Sequence, residues 1–216
     1  MKKALLVISI IIFTLTVIAL IASAPKPDEN FSADSIIEAS SRTGNLPEKI
    51  IGDPDLATLI IYEYADYACP HCSDFNDEMN ALLEKYGDRL ALVFRSYDLG
   101  LSKNSQSASR AATAAEIQGC WKEYKDLLFK HQSEWVYADN KTLNELLLKY
   151  FERASSGAGD TEKFKNDMKS SEVKKRVDFE QKLGKSINLK GTPTFRANGE
   201  DLPLETLSST IESLMK

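Results

Sequence analysis

The hydrophobic pattern changes period several times along the chain, and each change marks an element. After Met1, Lys2 and Lys3, a predominantly apolar run, with Ser9, Thr14 and Thr16 as its polar residues, covers residues 4–22. No charge breaks it, and it is about long enough to cross a bilayer as a helix. Residues 25–46 are polar and rich in Pro, Asp, Asn and Ser, the pattern of a spacer, with a short helix around 34–40. Residues 58–64 are β-branched, aromatic and nearly continuously apolar, which suits a central strand covered on both faces. Phe75, Met79, Leu82, Leu83 and Tyr86 recur at helical spacing. They predict a helix from the Cys69 region to Tyr86, ended by Gly87-Asp88. Residues 90–95 predict a second strand.

From 101 to 170 every periodic stretch reads helical: the alanine-rich 105–119, then 121–131, then 142–151 with Thr142 as its cap, then 161–168. A further helix over 172–183 is expected to stop at Gly184. Gly191-Thr192-Pro193-Thr194-Phe195 opens a strand, Asn198-Gly199 signals a hairpin turn, and 204–215 is an amphipathic helix. A strand–helix–strand start implies a right-handed crossover and a parallel pair. The fold class is therefore α/β, with a block of helices inserted before the final hairpin and helix.

With 216 residues, 43% hydrophobic, the chain suits one domain with an insertion. Its net charge of −5 comes with no basic stripe, so nucleic acid is not an expected partner. Charge matters most at the N-terminus. Lysines precede the apolar run, while its far flank is mixed (Lys26, Asp28, Glu29), so the positive-inside rule leaves the N-terminus in the cytoplasm and the rest outside. Ala22-Ser23-Ala24 also resembles a signal-peptide cleavage site. The length of the run, and Pro25 directly after the cut, favour an uncleaved anchor. Either reading exports the remainder: a single-pass membrane protein with its domain outside the cytoplasm, or a secreted one if cleaved.

Export bears on the three cysteines, Cys69, Cys72 and Cys120, because disulfides persist outside the cytosol. Cys69-Pro70-His71-Cys72 stands where the first helix begins. Unpaired N–H groups and the positive end of the helix dipole favour a thiolate at Cys69. Pro70 fits the first helical position. His71 is expected to donate a hydrogen bond to the thiolate and, when protonated, to add positive charge. Cys72 shares the helix face with Cys69 at disulfide range. Cys69 is then the nucleophile and Cys72 the resolving thiol, and a stabilised thiolate makes the disulfide oxidising. A purely structural disulfide over so small a loop stabilises little. Zinc needs four ligands, and only Cys120, His71 and His131 stand beside the pair. No metal or cofactor is expected.

The residues resemble the DsbA-like thiol oxidoreductases of the thioredoxin superfamily. The resemblance covers 51–216. It rests on Asp53-Pro54-Asp55 before the strand, Glu63 six residues ahead of the first cysteine, Cys-Pro-His-Cys itself, and Gly191-Thr-Pro-Thr-Phe195 followed by Asn198-Gly199. It implies a thioredoxin fold split by a helical insertion, so that after the 1–24 anchor or signal peptide and the 25–46 spacer come 47–100 as first half, 101–170 as insertion and 171–216 as second half. It implies a cis Pro193 beside the disulfide, with the Thr192 backbone free to pair with an extended client. Glu63 is either a buried proton shuttle for Cys72 or a solvent-facing residue at the strand end. The resemblance further implies unfolded exported clients with free thiols, reoxidation by a quinone-linked DsbB-like or VKOR-like membrane protein, and a monomer. Thr192 also resembles the disulfide isomerases, so isomerase or reductase is the alternative, with a non-catalytic peptide-binding module behind it. Cys120 reads as a buried small hydrophobe or a second redox site, and His131 as a surface or packing residue.

Overall fold

The computed structural model describes residues 34–36 and 46–216. The apolar run at 4–22, most of the spacer and the helix read at 34–40, beyond its first three residues, lie outside them. Among the described residues no helix is long and apolar enough to cross a membrane.

Among the described residues, five strands form one mixed sheet in the order β1-β3-β2-β4-β5. These are β1 (Lys49–Ile51), β2 (Leu59–Ala65), β3 (Leu90–Ser96), β4 (Thr194–Ala197) and β5 (Glu200–Asp201). β2 and β3 run parallel, from Leu59 opposite Leu90 to Ala65 opposite Ser96, and the other pairs are antiparallel. Helix α1 (Pro70–Tyr86) makes the crossover between the parallel strands, as the strand–helix–strand pattern requires. Asn198 and Gly199, at φ 53° and 87°, form the hairpin turn between β4 and β5. Their positive φ values are those a type I′ turn demands.

The helical block comprises α2 (Ser105–Glu116), α3 (Trp121–Lys130), α4 (Gln132–Trp135), α5 (Asn140–Ala154) and α6 (Thr161–Lys169). Helices α7 (Ser171–Ser186) and α8 (Leu207–Leu214) follow, the last entered through a 3-10 turn, Leu204–Thr206. Two expectations need correction, and one strand went unread. Thr142 does not cap α5: Asp139 does, accepting from the backbone N–H groups of Lys141 (2.8 Å) and Thr142 (3.1 Å). A carboxylate binds two orphan donors better than one hydroxyl. Gly184 does not end α7 but lies within it, where a Cβ would collide with the Tyr97 ring and Leu189. The glycine serves close packing. Finally, β1 was invisible because three residues beginning with a lysine carry no alternation.

β1 is held by charge. The Lys49 ammonium lies 2.7 Å from each carboxylate oxygen of Glu180 on α7 and 3.2 Å from Ser96 Oγ, all buried. The sheet is covered on both faces. Leu59, Ile61, Met79, Leu82, Phe195 and Ile211 pack α1 and α8 against one face. Tyr62, Tyr64, Val93, Tyr97 and Leu183 pack α7 on the other. A third cluster fills the helical block and continues through Phe94 and Tyr67 to Cys69 and Cys72.

Candidate active site

β2 delivers its C-terminal end to a short loop that Asp66 organises. The Asp66 carboxylate accepts from the N–H groups of Ala68 (2.9 Å) and Leu99 (3.1 Å), and its carbonyl accepts from Cys69 N–H (3.0 Å). Cys69 thereby becomes the N-cap of α1, extended at φ −80°, ψ 121°, with the exposed Pro70 at N1 and no acidic residue in the first turn. The positive helix end is left to the sulfur.

Cys69 and Cys72 are free thiols, 4% and 0% exposed. Cys69 Sγ lies 3.3 Å from the carbonyl oxygen of Thr192, and the Thr192–Pro193 peptide is cis with Pro193 buried. A hydrogen bond from the Cys72 thiol is the largest cause that holds Cys69 down at about 5. Burial opposes it, while Thr192 and the backbone N–H groups of Cys72 and His71 add to it. Burial and the neighbouring Cys69 sulfur push Cys72 far above the usual thiol range. The two sulfurs of one helical turn are thus held in opposite protonation states.

The His71 imidazole is not where the sequence places it. It is 79% exposed and stands 3.7 Å from Asp74 one turn along, so the residue reaches the Cys69 sulfur through its backbone N–H. Glu63 is 2% exposed, which rules out the solvent-facing orientation. Burial raises its carboxyl from 4.5 to about 7; the Lys125 charge lowers it and the Asp126 charge raises it. Glu63 and Cys72 feel each other electrostatically.

A match to the thioredoxin family model spans residues 45–214. The chain belongs to the thioredoxin family. Among solved structures it is similar to BdbD from Bacillus subtilis in its oxidised form, at TM-score 0.66 and 20% identity, over 78% of this chain and 92% of that one. It is similar to MdbA, a thiol-disulfide oxidoreductase from Actinomyces oris, at TM-score 0.64 and 20% identity, over 88% and 95%. A thioredoxin-like oxidoreductase from Silicibacter pomeroyi DSS-3 gives TM-score 0.63 at 24% identity, over 83% and 95%. At these identities the likeness is one of fold. Among curated proteins, 159 residues are 32% identical to Na(+)/H(+) antiporter NhaA 1 of Mycobacterium sp. (strain KMS), 71% of this chain and 24% of that protein. A similar stretch matches NhaA 3 of Salinispora tropica at 31% identity, over 74% and 24%. The chain spans about a quarter of the length of these relatives.

Within this thioredoxin fold the inserted helices add residues that sequence reasoning missed. Gln132 Nε2 donates to the carbonyls of Tyr67 (2.8 Å) and Cys69 (3.0 Å), fastening α4 to the cysteine loop. Trp121 Nε1 donates to the buried Tyr67 hydroxyl at 3.0 Å, and the Tyr67 ring packs on Phe94 and Phe129. The buried Lys125 donates to Asn76 Oδ1 on α1. None of these carries a motif, since each is near the cysteines only once the insertion folds back. Cys120 is the N-cap residue of α3, its thiol 3.5 Å from the Ala115 carbonyl and raised to about 11 chiefly by burial. His131 stacks on Tyr150 and pairs with Glu134 at 2.7 Å, a packing role.

Proposed function

We propose that this protein is a thiol–disulfide oxidoreductase that introduces disulfides into exported proteins through Cys69 and Cys72. The observation that carries the reading is the split between the two sulfurs: Cys69 lowered to about 5 and Cys72 raised, within one helical turn against the Thr192–Pro193 loop. In the oxidised enzyme a client thiolate attacks the Cys69 sulfur. The S–S bond breaks, Cys72 leaves with the electron pair and takes a proton, and a mixed disulfide joins the client to Cys69. A second client thiolate then attacks the client sulfur of that bond. Cys69 leaves as a thiolate that its surroundings already stabilise, which makes it a good leaving group. Two electrons pass from client to enzyme, and the client gains one disulfide.

Glu63 is the proton donor to Cys72, matched to neutral pH by its raised proton affinity. The Thr192 backbone holds an extended client beside Cys69 by strand-like pairing, which tolerates any sequence. The enzyme works as a monomer outside the cytoplasm, held to the membrane by the apolar segment at 4–22, or secreted if that segment is cleaved. A quinone-linked membrane protein of DsbB or VKOR type returns it to the disulfide form. MdbA, named as a thiol-disulfide oxidoreductase, supports the exchange chemistry. The antiporter relatives support a membrane setting. Antiport itself is not proposed, since about three quarters of each of those proteins lies outside the match.

The test is stoichiometric. Oxidised protein mixed anaerobically with a reduced, unfolded thiol protein should lose its own disulfide and insert one in the client, and Cys69→Ser should insert none. Undiminished oxidation by that variant would overturn the reading. Thr192 favours a second reading, disulfide isomerisation. It predicts that the reduced protein reshuffles a scrambled client faster than the oxidised protein oxidises a reduced one.

A further inference from the structure

Helices α2, α5 and α6 of the insertion border a cavity of about 410 Å³. It shares no lining residue with the cysteine site described above. The helical period builds its apolar wall. Phe164 and Met168 stand one turn apart on α6, and Leu148 of α5 lines the same space. The Phe164 ring is buried and stacked on Phe151 at 4.1 Å, so this wall is fixed. Leu148 and Met168 pack on the core of the helical block but are only partly buried, which leaves apolar surface turned to the cavity. A methionine there adapts to the shape of an apolar partner. The charged part of the lining is mostly cationic: Arg110, Lys165 and Lys169 against one carboxylate, Glu145. Lys165 pairs with Glu162 at 2.8 Å, and Lys169 and Glu145 are exposed. Arg110 differs from them. Its Nε is buried, and among the described residues no acceptor reaches it. A buried N–H left without an acceptor is costly. With the adjoining Nη it offers the two-point edge that grips a carboxylate.

We propose that this cavity binds a long-chain carboxylate amphiphile, its head on the Arg110 guanidinium and its alkyl body along Leu148, Phe164 and Met168. Small-molecule sites are clefts of about 300–1,000 Å³, mostly apolar, with a few convergent polar groups, and this cavity has that form. The two halves of the lining select the ligand together. A small hydrated anion leaves the apolar wall without a partner. An uncharged lipid leaves the buried Arg110 Nε without an acceptor. A carboxylate on an apolar body satisfies both. Lys165 and Lys169 add positive potential that offsets Glu145 and draws an anion in. The ligand touches all three helices, so binding braces α2, α5 and α6 against one another and stabilises the insertion by mass action. Binding is non-covalent, and the site is independent of the exchange chemistry proposed above.

Photolabelling of the full-length protein in lipid nanodiscs tests the site. The probe is dodecanoic acid with a diazirine on its chain, used beside the matching dodecanol, and labelled peptides are mapped by mass spectrometry. The acid should label α2, α5 or α6 saturably, plain dodecanoate in excess should suppress the label, and the alcohol should label these helices weakly. Arg110→Gln should lower the acid label there about tenfold, as expected for the loss of a charge-assisted hydrogen bond, and leave the alcohol label unchanged. Arg110→Lys should restore part of it. Equal labelling by acid and alcohol, an acid label that Arg110→Gln leaves in place, or no saturable acid label on these three helices would overturn the proposal. If Arg110→Gln does not fold, Met168→Trp decides: it fills the apolar end of the cavity and should abolish the acid label, and a surviving label refutes the site. A peptide with a free C-terminal carboxylate that displaces the probe as well as dodecanoate does would also refute the amphiphile, in favour of a protein partner.

Discussion

Cys69 Sγ lies 3.3 Å from the Thr192 carbonyl oxygen, although 123 residues separate them. The contact closes the site. It brings the loop that opens β4 against the N-terminus of α1, so the reactive sulfur and the backbone that are proposed to engage the client occupy one rim. Cys72, behind it, is fully covered. On the proposed reading a client meets Cys69, 4% exposed, rather than Cys72, 0% exposed.

Cys69 should be a thiolate at neutral pH. Its alkylation rate should be nearly flat from pH 8 down to about pH 6 and fall through a midpoint near 5. Cys72→Ala should raise that midpoint, because the Cys72 thiol is the largest cause of the lowering. Mass spectrometry of the alkylated wild type should find the label on Cys69 and not on Cys72.

Gln132→Ala removes both donors that fasten α4 to the carbonyls of Tyr67 and Cys69. At about 1 kcal/mol per hydrogen bond the loss is about 2 kcal/mol. Denaturant unfolding should show this loss. The Cys69 loop should also exchange its amide hydrogens faster, with helix α7 unaffected.

Glu63→Gln should stabilise the protein at high pH. Glu63 has a folded value near 7 against 4.5 for the free group, so ionising it in place opposes folding. The cost is absent below the unfolded value, grows as pH rises from there and is complete above about 7. A rise of this size is on the order of 3 kcal/mol. Unfolding at pH 8 should show the variant more stable than wild type, and the difference should vanish near pH 4. The same variant should slow the resolution of mixed disulfides at neutral pH.

Lys49→Met should be strongly destabilising despite the short strand that carries it. It removes one of the two cations that, against its own burial, hold the Glu180 carboxylate down at about 2, and leaves only Arg176 to pair with it. Breaking a buried pair from one side costs about 3–5 kcal/mol. In the wild type, the stability owed to Glu180 is present above the unfolded value of 4.5 and is lost as pH falls towards 2. Thermal unfolding between pH 2 and 5 should show this slope in wild type.

What was legible in the sequence follows from range. The cysteine helix, the parallel pair and the Asn198-Gly199 turn are set by local period and turn chemistry, and each lies where the pattern predicts. Asp139 was overlooked beside Thr142 because both are good caps and only the fold decides where the helix starts. Gly184 looked like a stop because its reason, the Tyr97 ring, comes from a distant segment. The same limit hid Gln132 and Lys125, which approach the site only after the insertion packs on α1. His71 was legible as a neighbour of the thiolate but not in its direction, since whether the imidazole turns to the sulfur or to Asp74 is a matter of rotamer.

The equilibrium of the Cys69–Cys72 pair with glutathione tests the central claim most directly. Stabilising the Cys69 thiolate stabilises the reduced form, so the disulfide should be a strong oxidant, with a potential nearer about −120 mV than about −270 mV. Such a value would agree with a protein that gives disulfides to its clients. A value close to about −270 mV, that of thioredoxin, would contradict it.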